Sequence, residues 1–100
     1  MTLYICGIMH KVIEVEDIFY DGVTHFGDVD YKNAVIKINK DMNIDIKRET
    51  LCHEILHVML THLGYDSLSE DEQFVNALSN AMNQSFEVRK IGNFTGKEDE

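Results

Sequence analysis

His53, Glu54 and His57 stand in the string Thr50-Leu51-Cys52-His53-Glu54-Ile55-Leu56-His57, an H-E-x-x-H motif. On a helix this is the shortest pattern that assembles zinc-dependent hydrolysis. A helix turns about 100° per residue, so the two imidazoles project from one face a turn apart and can reach a single ion. Glu54 points away by about a quarter turn. It cannot share the histidines' coordination position, but it is placed to take a proton from the attacking water as general base. The spacing assigns His53 and His57 as metal ligands and Glu54 as the catalytic residue.

Those roles require the segment to be helical, and its apolar residues agree. On a helical wheel Leu51, Cys52, Ile55, Leu56, Val58, Met59, Leu60 and Leu63 fill one arc, and Thr50, His53, Glu54, His57 and Thr61 fill the other. That pattern predicts a core helix with a polar active face. Leu63-Gly64-Tyr65-Asp66 reads as its stop, with Gly64 in the left-handed conformation. A second helix is expected over residues 69–84, capped by Ser67 or Ser69, with Phe74, Val75, Ala77, Leu78, Ala81 and Met82 at helical spacing.

A zinc hydrolase site uses three protein ligands and keeps one position open. A short connection sets the two helices side by side, which brings a carboxylate at the start of the second towards the end of the first. Glu72 is the third ligand favoured here, because the periodic apolar run that follows it fixes its face. Glu70, Asp71 and Asp66 compete, and all four acids also suit a helix N-terminus electrostatically. His62 lies roughly 140° around the helix from His57 and turns to the apolar arc. Leu60 and Leu63 occupy the positions where an astacin-like pattern has glycine and a third histidine, so that class is excluded.

With these residues in view, the chain resembles the small zinc metallopeptidases of phages and prophages, minimal gluzincin-like proteins distantly akin to the ImmA/IrrE peptidases. Their pattern is an N-terminal hairpin, a Gly-x-x-Asp turn before a strand, a Thr-Leu-x-His-Glu-x-x-His helix and a second helix opening with Glu-x-x-Val. The matching residues are Gly27-Asp28-Val29-Asp30, the stretch 34–39, Thr50 through His57, and Glu72-Gln73-Phe74-Val75. The resemblance implies one zinc per chain held by His53, His57 and Glu72, with Glu54 as base. It does not carry a substrate. His62-Leu63-Gly64-Tyr65-Asp66 echoes the bacterial rRNA-maturation endoribonucleases, but Ser67 stands where that family's last histidine would be, so the echo is only local.

One hundred residues, 44% of them apolar, suffice for a single domain with one small core. The expected domain spans residues 1–91, followed by a loose acidic tail over 92–100. Nine basic against eighteen acidic side chains give a net charge of −9, which opposes binding to nucleic acid and to anionic membrane surfaces. Without a membrane-length apolar run or a leader pattern, the expected location is the cytoplasm, the host's if the chain is phage-encoded. Cys6 and Cys52 read as reduced core residues.

Elsewhere the residues predict an α+β fold, a small three- or four-stranded sheet packed on the motif helix and a second antiparallel helix in a minimal zincin-like plan. Residues 3–6 and 11–16 suggest a hairpin about Gly7, and 34–39 a strand that could lie at the sheet edge and pair with an extended substrate. In 17–33, Gly22 and Gly27 mark turns, Ile18, Phe19, Phe26 and Val29 are expected in the core, and a short helical turn fits. Residues 86–91 suggest a last strand or ordered tail. His25 is a weak active-site candidate, His10 an ordinary surface or core residue, and Tyr31 and Tyr65 unassigned hydrogen-bond donors.

The function these residues predict is a zinc metallopeptidase that hydrolyses a protein or peptide substrate by metal-activated water with a glutamate base. The alternative is a non-catalytic metal-binding protein, structural or regulatory, in a phage or host assembly whose protein partner completes the site. Glu54 separates the two, since a structural site has no need of a base.

Overall fold

Alternating apolar residues at the start of the chain build a hairpin. Strands β1 (Thr2–Ile5) and β2 (Ile8–Val15) pair antiparallel, joined by Cys6 and Gly7. Both turn residues have positive φ, +51° and +79°, which suits the twist of a two-residue hairpin. A computed structural model describes residues 1–85. It continues through a small hairpin, β3 (Phe19–Tyr20) and β4 (Val23–Thr24), then β5 (Gly27–Asp30) and β6 (Val35–Asn39). Helices α1 (Ile44–His62), α2 (Asp66–Ser69) and α3 (Glu72–Ser85) follow.

The fold is α+β, with a four-stranded mixed sheet in the order β1-β2-β6-β5 and β2 parallel to β6. Residues of alternating parity on the strands face α1, so Ile5, Val12, Ile36 and Ile38 meet Ile44, Leu51 and Val58 in one core. Each such side chain contributes about 1.5–3 kcal/mol on burial. Asn43 starts α1, its side-chain oxygen accepting from the Asp45 amide at 2.8 Å. The expected stop at Gly64 is present: Gly64 has φ +84°, its amide donates to Thr61 O, and the Tyr65 amide donates to Leu60 O. These paired bonds are a Schellman closure, and they turn the chain sharply into α2.

Several expectations need correction. The second helix begins at Glu72, not near residue 69, because Asp71 caps it: its side chain accepts from the Phe74 amide at 3.1 Å and its carbonyl from Val75. Ser69 belongs instead to α2, which is too short to leave a periodic signal. Residues 17–33 contain no helical turn but the β3–β4 hairpin and β5. Gly22 turns the chain as expected, whereas Gly27 and the Gly27-Asp28-Val29-Asp30 stretch form a strand and not a turn. Ile18 is buried, but Phe19 and Phe26 are 64% and 58% exposed. Strand β6 is flanked on both sides, so the edge beside α1 belongs to β5. Cys52 is buried as expected and Cys6, at the turn, is exposed. On α3, Ala77, Leu78 and Ala81 are exposed, and only Val75 and Ser79 are buried. The strand or tail expected at 86–91 and the tail at 92–100 lie outside the described residues.

Candidate metal centre

His53 and His57 lie one turn apart on α1, and α3 returns alongside α1 with Glu72 in its first turn. The three side chains converge. Nε2 of His53 and Nε2 of His57 are 3.0 Å apart, and the Glu72 carboxylate reaches both, Oε2 lying 3.2 Å from His53 and Oε1 3.1 Å from His57. Ligands held at the roughly 2.0 Å of a zinc–nitrogen bond at tetrahedral angles stand about 3.3 Å apart, so this spacing fits one small divalent ion. Among the described residues this is the group of histidine and carboxylate donors that could hold a metal ion. Glu70, Asp71 and Asp66 do not join it. Glu72 has an exposed side chain, which leaves the group open towards solvent.

Each imidazole is tied by its surroundings. His57 Nδ1 lies 3.2 Å from the hydroxyl of Ser69, and the side chain of Asn76, one turn after Glu72, lies beside His53. Burial keeps the His53 imidazole below its ordinary pKa, helped by the neighbouring His57 and opposed by Glu72. A neutral imidazole offers the lone pair a metal needs.

Glu54 is buried, at 8% exposure, against β5. Gly27 makes room for it: a Cβ on Gly27 would stand 2.8 Å from Glu54 Oε2 and 2.8 Å from Thr50 Cγ2. No cation lies within ion-pair distance of Glu54 among the described residues. Its pKa is pushed up to about 8, first by burial and then by the negative charges of Asp28 and Glu72. Two imidazoles surrounded by three carboxyl groups form a donor set and a negative potential that suit a divalent cation.

The triad opens into a cleft of about 870 Å³ whose walls are β5, α1, α3 and the β3–β4 hairpin. A smaller hollow of about 480 Å³, bordered by Asp66 and Glu70, adjoins it past His57 and Glu72. His25 lines the main cleft, its ring stacked on Tyr20 with centroids 3.8 Å apart, and its buried Nε2 has no hydrogen-bond partner. Burial raises the Tyr20 phenol above its ordinary pKa, with Asp28, Glu54, Asp21 and Glu72 adding to the shift, so it remains a donor. Tyr31 borders both hollows and Tyr65 neither. His10 is buried with Nδ1 2.9 Å from Ile8 O, and His62 is exposed at the end of α1 with its ring edge towards His10.

Sequence reasoning missed Gly27, Tyr20, Ser69 and Asn76. Their roles depend on contacts through space, and only Asn76 carried a hint, lying one turn from Glu72. No helix among the described residues is long and apolar enough to cross a membrane. Comparison of the chain with protein-family models, with curated proteins and with solved structures finds no match.

Proposed function

We propose that the chain is a zinc metallopeptidase built on a minimal zincin-like plan, of the gluzincin-like kind its motifs resemble. The observation that carries this reading is the convergence of His53, His57 and Glu72 beside a buried glutamate that no cation among the described residues neutralises. Zinc held by the three would supply Lewis acidity, polarising a carbonyl and lowering the pKa of a water towards about 7. The Glu54 carboxylate would accept the proton of the attacking water and return it to the leaving amine. Gly27 keeps the space that Glu54 needs, and Ser69 and Asn76 orient the ligands. An extended peptide would lie along the outer edge of β5, which borders the cleft and, among the described residues, pairs with β6 alone. Substrate backbone amides and carbonyls would bond the unpaired groups of that edge.

The reading is tested on the full chain by metal analysis and by hydrolysis of a peptide library, for wild type, His57→Ala, Glu72→Ala and Glu54→Gln. One zinc per chain is expected in wild type and in Glu54→Gln, and none in the other two. Glu54→Gln should lose hydrolysis by at least about 100-fold, so full activity in that variant sinks the mechanism. Stoichiometric zinc without cleavage of any peptide would favour the non-catalytic clip completed by a protein partner. Wild type that takes up no zinc ends the metal reading.

A further inference from the structure

Helix α2 has four residues and buries one of them, Ser69. The Ser69 amide is held by Tyr65 O at 2.9 Å, which fixes the serine at the foot of α1. Its hydroxyl makes three polar contacts: 3.2 Å to Nδ1 of His57, 3.2 Å to Oγ1 of Thr61 and 3.3 Å to the backbone oxygen of His57. A serine hydroxyl has one proton to give and two lone pairs to receive. The carbonyl oxygen can only accept, so it takes the serine proton. The other two contacts must then donate to Ser69 Oγ, one from the Thr61 hydroxyl and one from an Nδ1–H on His57. In this arrangement all three contacts are hydrogen bonds. The Glu72 carboxylate, 3.1 Å from Nε2 on the other side of the ring, also only accepts, so what the serine contacts fix is the proton on Nδ1.

We infer that Ser69 is a positioning residue that holds a proton on Nδ1 of His57 and so aims Nε2 towards His53 and Glu72. Of the two neutral forms, the one with its proton on Nδ1 is the minor form in a freely solvated histidine, so the serine contact works against the ring's own preference. The consequence for metal binding rests on the proposed ligand role of His53, His57 and Glu72. The tautomer itself does not. Short as it is, α2 then has a clear task, which is to deliver one hydroxyl to the outer nitrogen of a ligand. Partners of this kind orient metal-ligating histidines, and losing one typically weakens binding by roughly 10- to 100-fold.

The experiment uses the full chain labelled with ¹⁵N and stripped of metal, with imidazole nitrogen shifts read by long-range ¹H–¹⁵N correlation near neutral pH. Wild type should show His57 protonated at Nδ1, Ser69→Thr should keep that state, and Ser69→Ala should move His57 towards the Nε2–H form. Zinc affinity, measured by competition with a chromophoric chelator, should fall by about tenfold or more in Ser69→Ala and stay within roughly threefold of wild type in Ser69→Thr. A metal-free wild-type His57 with no proton on Nδ1 overturns the inference. So does a Ser69→Ala variant with tautomer and zinc affinity both unchanged. Should Ser69→Ala fail to fold by circular dichroism, the wild-type tautomer and the Ser69→Thr variant decide. An Nδ1–H His57 in a wild type that takes no zinc upholds the tautomer and ends the metal reading instead.

Discussion

Lys47 and Glu54 are seven residues apart on α1, on one stripe of the helix, and both are buried against the sheet, yet the two ends of that stripe treat charge in opposite ways. At the β2 end, the Lys47 ammonium meets Glu14 at 2.6 Å, and the pair is internally neutral. At the β5 end, Glu54 faces Asp28 and Glu72, both negative, with no cation among the described residues at ion-pair distance. Burial alone therefore does not mark a functional charge. A buried ion with an opposed partner is compensated, whereas a carboxyl buried beside like charges holds on to its proton in the metal-free fold and fits a site where a divalent ion would bind.

The widest break in this comparison is expected from pH. Above pH 4.5 the unfolded chain releases the Glu54 proton, while the folded, metal-free chain keeps it up to about pH 8. Folding then takes up a proton across this window, so this contribution makes stability fall as pH rises from about 4.5 to 8, by on the order of 4 kcal/mol. The lowered pKa of His53 works the other way, subtracting stability as pH falls below 6.5. Urea unfolding of metal-free protein at a series of pH values should show the loss on the alkaline side, and Glu54→Gln should flatten it. An identical slope in the two proteins would mean that Glu54 is not the group responsible.

At the other end of the stripe, Glu14→Ala should destabilise the fold by about 3 kcal/mol by removing the carboxylate that faces a buried ammonium. Zinc stoichiometry should stay at one per chain, and denaturant melts beside metal analysis check both halves. A smaller effect sharpens the contrast from the β5 side. Gly27→Ala should cost about 2 kcal/mol, because its methyl group would meet Glu54 and Thr50 at 2.8 Å. On the proposed function it should also lower peptide cleavage more than zinc affinity, since it would displace Glu54 and not His53, His57 or Glu72. A variant with unchanged melting and unchanged turnover would remove Gly27 from the account.

The legible part of the molecule is the part whose chemistry demands a fixed spacing. His53, Glu54 and His57 are set by helical geometry, and Glu72 by a short connection and the run that follows it. The stop at Gly64 and the hairpin around Gly7 were readable because their turn chemistry is local. Gly27 was misread for an instructive reason: glycine marks a turn when seen along the chain, but here it sits in a strand because a side chain from α1 needs the space. Strand β6 looked like an edge because nothing in its own residues says that β5 pairs beside it. Ser69 looked like a cap because a four-residue helix has no period, and its partner His57 lies twelve residues back. The Lys47–Glu14 pair joins residues 33 apart in the chain, with no pattern between them.

The parallel register of β2 with β6 has a kinetic meaning. Lys11 pairs with Val35 and Val15 with Asn39, so this ladder closes only after the intervening chain has been arranged, including the β3–β4 hairpin and β5. Local hairpins and helices form quickly, and long-range parallel pairing is slow. Among the described residues, strand β5, which carries Gly27, is held to the rest of the sheet through β6 alone. The β5–β6 hairpin and α1 follow one another directly in the chain, so Glu54 can meet Gly27 through local contacts before the β2–β6 ladder closes. The unit that gathers Gly27, Glu54 and the two histidines is thus local in sequence, and the slow pairing serves to join the β1–β2 hairpin to it.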